Sequence, residues 1–149
     1  MTAAADESIE QMRRRVLASF ARQPMMATLG VEAVSVDPGR VVLAMPMDAR
    51  FTQQHGFLHG GTVAAVLDSA CGYAAFSLMP PDAGVLAAGY TINLLSPAAG
   101  QRFRMVAEVV RPGRTLTVCR AEAFADDRPT PIAVMQATIA TVYRPGIEH

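Results

Sequence analysis

The sequence predicts an α+β fold, a curved and mostly antiparallel sheet wrapped around one long central helix. Three observations predict it. Residues 61–79 form a run of small and apolar side chains with a single charge, Asp68, and Pro80-Pro81 stops it. Four segments with strand character then follow in close succession, and short links between consecutive strands favour antiparallel neighbours. Such a sheet buries one face, and an apolar helix laid across that face satisfies both elements.

The elements follow in order. Residues 8–22 carry Ile9, Met12, Val16, Leu17 and Phe20 at helical spacing, with Arg13, Arg14 and Arg15 assigned to the wet face. Pro24 ends that helix, and Met25-Met26 read as loop or contact residues. Residues 29–36 read as a strand, Asp37-Pro38-Gly39 as a turn and 40–47 as its hairpin partner. Residues 48–58 show no period and form a loop into the central helix. Beyond the loop at 80–84, strands are expected at 85–95, 102–110, 115–124 and 132–143, separated by Ser96-Pro97, Arg111-Pro112-Gly113-Arg114 and the polar stretch 125–129.

Composition narrows the function. A chain of 149 residues, half of them hydrophobic, suits one domain with a real core: a helical extension over 1–24 and a core over 25–143. Thirteen basic residues balance thirteen acidic ones and tryptophan is absent, which argues against nucleic acid and anionic membranes as partners. Every basic residue counted is arginine, so lysine Schiff-base chemistry and a Walker-type phosphate loop are excluded. The N-terminus has no apolar signal core, and Asp68 with two glycines marks the long run as a buried helix of a soluble protein rather than a membrane span. Cys71 and Cys119 imply no disulfide framework and fit a reducing cytoplasm.

The central helix carries the candidate chemistry. Gly61, Ala64, Ala65, Gly72 and Ala75 share the face of Asp68, whereas Val63, Val66, Leu67 and Leu78 mark a core side. A carboxylate in so crowded a place is either a general base or nucleophile, or a structural group capping a neighbouring turn. At the helix start, Gly60-Gly61 either leaves N–H groups open to a developing oxyanion or makes a tight strand-to-helix corner. Gly60 and Asp68 are eight residues apart, roughly 12 Å along a helix. One small reacting group reaches both only if two chains meet, so the spacing predicts a homodimer. His55 and His59 are four apart, but the glycines between and beyond them break the helix a metal pair would need, and no metal site is expected. His59 is expected to fix the corner through a ring hydrogen bond, and Cys71 to pack.

The run Leu58-His59-Gly60-Gly61, with Asp68 nine residues after the histidine, resembles the hot-dog-fold acyl-CoA thioesterases of the phenylacetate-degradation (PaaI-like) type. The resemblance spans residues 24–143 and includes Phe51-Thr52-Gln53-Gln54-His55-Gly56 and Asn93-Leu94-Leu95-Ser96-Pro97. It implies a hot-dog roll, a dimer with one continuous sheet, pairing of dimers into a tetramer, and a site at the dimer interface. It further implies that the Gly60 N–H holds the thioester oxygen and that Asp68 of the other subunit activates water or attacks directly. Gln53 would position the water or thioester, and His59 would brace the loop. No cofactor is implied, since coenzyme A is part of the substrate. The sequence departs from the family where relatives carry a water-holding Ser or Thr: it offers Gly72 and Ala87, with Thr91 or Ser69 as substitutes.

Coenzyme A is an anion, and Arg111, Arg114 and Arg128 are its candidate nucleotide-end partners; the alternative is ordinary solvated charge. Tyr73, Phe76, Met79 and Met25-Met26, with Gly61 at the helix start, are candidate walls of a pocket for a medium-chain or aromatic acyl group. The leading function is acyl-CoA hydrolysis. A non-catalytic acyl-CoA binding or regulatory protein of the same fold is the alternative, and an enoyl-thioester hydratase, which needs a histidine paired with the acid, is third.

Overall fold

The computed structural model describes residues 7–147. The first helix, α1 (Ile9–Phe20), begins at a capping box. Ser8 Oγ accepts the Gln11 N–H at 3.2 Å, and Gln11 Oε1 accepts the Ser8 N–H at 2.9 Å. The expectation that three arginines face water holds for Arg14 and fails for Arg15. The Arg15 guanidinium is bound by Glu7 at 2.7 Å, donates to the Phe76 and Met79 carbonyls, and stacks on the Phe76 ring at 4.3 Å. A cation at the carbonyl-rich end of a helix is favourable, and this one ties α1 to the end of the central helix. Arg15 also holds the Glu7 carboxyl below its ordinary range, mainly through that hydrogen bond.

A second correction follows at once. Pro24, read as a helix stop, Met25-Met26, read as loop or contact residues, and Leu29, read as the start of a strand, all lie in the short helix α2 (Pro24–Leu29), and Gly30 closes it in the left-handed region at φ 69°. Proline lacks the N–H that the first turn cannot use, so Pro24 opens this helix as readily as it ends the one before. The hairpin β1 (Glu32–Asp37) and β2 (Arg40–Pro46) then turns at Gly39, φ 73°. After a 3-10 turn at Ala49–Phe51 comes the central helix α3 (Gly60–Phe76), and after it β3 (Gly84–Leu94), β4 (Arg102–Arg111), β5 (Leu116–Ala125) and β6 (Ala133–Val142).

α3 is shorter than its apolar run. Ser77 Oγ donates to the Ala74 carbonyl at 2.7 Å and accepts the Gly39 N–H at 2.8 Å, so the hydroxyl ends the helix and pins it to the β1–β2 turn. Leu78, assigned to the core side, lies beyond this point and is exposed.

The six strands form one antiparallel sheet in the order β1-β2-β4-β5-β6-β3. Its inner face alternates with the strand period: Phe103, Met105 and Ala107 on β4, Cys119, Ala121 and Ala123 on β5, and Met135, Ala137 and Ile139 on β6 are all buried. α3 lies across that face against β2 to β6. Small side chains meet on both sides, Ala70, Ala74 and Ala75 of the helix and the alanines of the strands, so the helix nests into the sheet. Cys71 and Cys119 are fully buried, with the Cys119 thiol 3.5 Å from the Cys71 carbonyl. Among the described residues no helix is long and apolar enough to cross a membrane.

Candidate active site

The entrance of α3 is built by the loop before it. The His59 N–H donates to the Phe51 carbonyl at 2.9 Å, and the Thr62 hydroxyl donates to the same oxygen at 3.2 Å. His59 is the helix cap, and its Nδ1 accepts the Gly61 N–H at 2.8 Å. One of the two glycine donors is therefore already used. The Gly60 N–H has no acceptor among the described residues. It lies in a depression of about 460 Å³ shared with Gln53, Phe57, Leu94, Ser96 and Ala133. Gln53 Oε1 is held at 2.5 Å by the His55 N–H. A Cβ on Gly60 would stand 2.6 Å from Leu94 Cδ1, so a larger residue there would push the exposed Leu94 side chain aside.

Asp68 sits two turns along α3, in a different recess. This one is about 130 Å³ and is lined by Gln23, Ser69, Gly72, Tyr73, Leu86 and Ala87, among others. Asp68 Oδ1 is buried and accepts no hydrogen bond from the described residues. Burial alone pushes the Asp68 pKa above the ordinary carboxylate range, and no cation opposes it. Gly72 leaves open space beside the acid, with no atom beyond its chain neighbours and the local helix backbone within 4 Å of where a Cβ would be. The two groups are thus a lone hydrogen-bond donor at a helix start, where negative charge is favoured, and a partly buried carboxyl that holds a proton more tightly than an exposed one.

Comparison with known proteins identifies the family. The profile of the thioesterase superfamily matches residues 55–132, a span that holds α3 and the residues from His55 to His59 that lead into it. The chain belongs to this superfamily. Its sheet and helix are the hot-dog fold: a thioesterase family protein from Silicibacter pomeroyi, 55% identical, superposes with a TM-score of 0.86 over 89% of this chain and 99% of that one. The 1,4-dihydroxy-2-naphthoyl-CoA hydrolase of Listeria monocytogenes is 25% identical over 78% of this chain and 94% of its own length. The acyl-coenzyme A thioesterase PaaI of Escherichia coli is 29% identical over 68% of this chain and 71% of its own.

Within this thioesterase fold only some of the other predicted residues reach either depression. Tyr73 borders the Asp68 recess, with its hydroxyl bonded to Ser19 Oγ at 3.2 Å and Gln23 Nε2 at 3.1 Å. Arg111 and Arg114 are exposed at the β4–β5 turn, and strand register puts that turn at the opposite end of the sheet from Ala133 and the Gly60 depression. Arg128 is engaged by Asp126 and by the Ala99 carbonyl. Of the two substitute hydroxyls, Ser69 lines the Asp68 recess, whereas Thr91 opens onto another depression with Asn93 and Arg120. Among the described residues no three His, Cys, Asp or Glu side chains gather at a metal-binding distance. Gln23 was missed by sequence reasoning. It lies 45 positions before Asp68, and no local pattern links them.

Proposed function

We propose that the protein is a homodimeric hydrolase of acyl-CoA thioesters, with an aromatic or medium-chain acyl group. The observation that carries this reading is the pair of unused groups on one helix, the Gly60 N–H and the Asp68 carboxylate, lying in separate depressions of one chain. A second copy, packed with the entrance of its α3 against this recess, joins the two. The thioester carbonyl oxygen then accepts from Gly60, which stabilises the oxyanion as the carbonyl carbon becomes tetrahedral. Asp68 of the other subunit removes a proton from water, the water oxygen bonds to the carbonyl carbon, and the C–S bond breaks. The proton returns to the thiolate, giving the free acid and the CoA thiol. Gln53 orients the ester, and His59 keeps the entrance loop in register through Gly61.

The edge strand β3 supplies the pairing surface. It is eleven residues long, has no charged side chain and is exposed over most of its length. The aromatic preference is supported by the naphthoyl-CoA hydrolase among the relatives and by the ring of Tyr73 at the recess. The test is thiol release from short, medium, long and aromatic acyl-CoAs by the native protein and Asp68→Asn. Turnover in the first and a loss of about a hundredfold or more in the second is the expected result. CoA-ester binding without turnover by the native protein would replace this reading with the non-catalytic one.

A further inference from the structure

The recess around Asp68 has a polar wall that comes from outside the matched family region. Gln23 is the N-cap of α2, yet its side chain makes no capping bond there. It crosses to α3 instead. Its Oε1 accepts from Ser69 Oγ at 3.2 Å, and its Nε2 donates to the Tyr73 hydroxyl at 3.1 Å, which in turn meets Ser19 of α1 at 3.2 Å. Three helices are thereby locked around one small recess, with Asp68 in its wall.

Ser69 is unusual for a serine inside a helix. Such hydroxyls commonly fall back on the carbonyl four residues earlier. Here the hydrogen is directed across to Gln23, which leaves the oxygen lone pairs as acceptors on the wall that Asp68 shares. A water in the recess has two hydrogens. If the Asp68 carboxylate accepts one and Ser69 Oγ the other, the water's lone pair is left for a carbonyl entering over Gly72, where there is open space.

We infer that Ser69 holds the attacking water together with Asp68, and that Gln23 is the positioning residue that orients Ser69, so that the segment joining α1 to α2 is a working part of the site. The inference rests on the reading of Asp68 as the base.

The test compares kcat and KM on the best acyl-CoA of the panel for Ser69→Ala, Ser69→Thr, Gln23→Leu, Gln23→Glu and the double variant Ser69→Ala/Gln23→Leu, with Asp68→Asn alongside. Ser69→Ala is expected to lower kcat about tenfold or more with KM within about twofold, and Ser69→Thr to restore most of it. Gln23→Leu should lower kcat in the same way, Gln23→Glu should retain the acceptor for Ser69 and most of the rate, and the double variant should be no slower than Ser69→Ala. Native kcat in Ser69→Ala, or full additivity in the double variant, overturns the inference. If Asp68→Asn is inactive in that case, only the inference fails. If Asp68→Asn turns over normally, the base assignment fails first and takes the inference with it. Thermal melting and sedimentation of each variant separate these effects from loss of fold, and if Ser69→Ala does not fold, the Gln23→Leu and Gln23→Glu contrast decides alone.

Discussion

The two edges of the sheet are opposites. β1 is six residues long, has an acid at each end and is bulged between Ala33 and Ser35. Arg13 of α1 donates to the Val36 carbonyl at 2.8 Å and to Asp37 at 2.6 Å, and Arg102 reaches Glu32 at 3.2 Å. Length, bulge, charge and a covering helix are the devices by which sheets avoid pairing with other chains. β3 has almost none of them. It is eleven residues long and uncharged, keeps only a bulge between Ala87 and Gly89, and leaves Leu86, Tyr90 and Leu94 exposed. An unprotected edge beside the candidate site, in a chain whose other edge is guarded, is what a built-in partner surface requires.

The same change at the two edges should therefore have opposite results. Tyr90→Lys on β3 is expected to give a monomer by sedimentation and to abolish thiol release, because the proposed site needs two chains. Val34→Lys on β1, equally exposed at 54% against 48%, should leave both unchanged. A dimeric, active Tyr90→Lys protein would break the comparison. Mixing then sharpens it. Asp68→Asn and Gly60→Val subunits, each inactive alone, should recover about a quarter of native turnover after subunit exchange, since half the dimers are mixed and each of those holds one intact site. No recovery would put both groups in one chain's site.

Smaller effects concern stability. The raised pKa of Asp68 means that the folded chain binds that proton more tightly than the unfolded chain does. Burial of the charge therefore costs stability above the raised pKa, and the cost fades as pH falls toward the ordinary carboxylate range. Asp68→Asn should raise the Tm at pH 8, with the gain shrinking on acidification; a pH-independent difference would remove desolvation as the cause. Thiol release by the native protein should fall on acidification through the same raised pKa. Smallest of all, Arg13→Ala removes a half-exposed pair and should cost about 1 kcal/mol or less by urea unfolding, with turnover intact.

Much of this architecture was legible because long elements carry period. The 17-residue α3 and the four late strands show it plainly, and their boundaries fall within a few residues of expectation. Six-residue α2 is too short to show a period, and Pro24 signals a stop and a start alike. Arg15 reads as surface in any helical wheel, because the carbonyls it satisfies belong to residues 76 and 79. Within the site, the His59 cap on Gly61 follows from local sequence, as does the eight-residue offset of Gly60 and Asp68. The bridge from Gln23 to Ser69 and Tyr73 does not, since it exists only after two distant helices have packed.

The burial of both cysteines has a practical consequence. Only a thiolate reacts with disulfide and maleimide reagents, and burial raises the Cys71 pKa and pushes Cys119 up to about 11. A colorimetric thiol reagent added to the folded protein should therefore report released coenzyme A with no background from the chain. After denaturation the same reagent should count two sulfhydryls per chain, so one dye reads catalysis in native buffer and the unfolded fraction in urea.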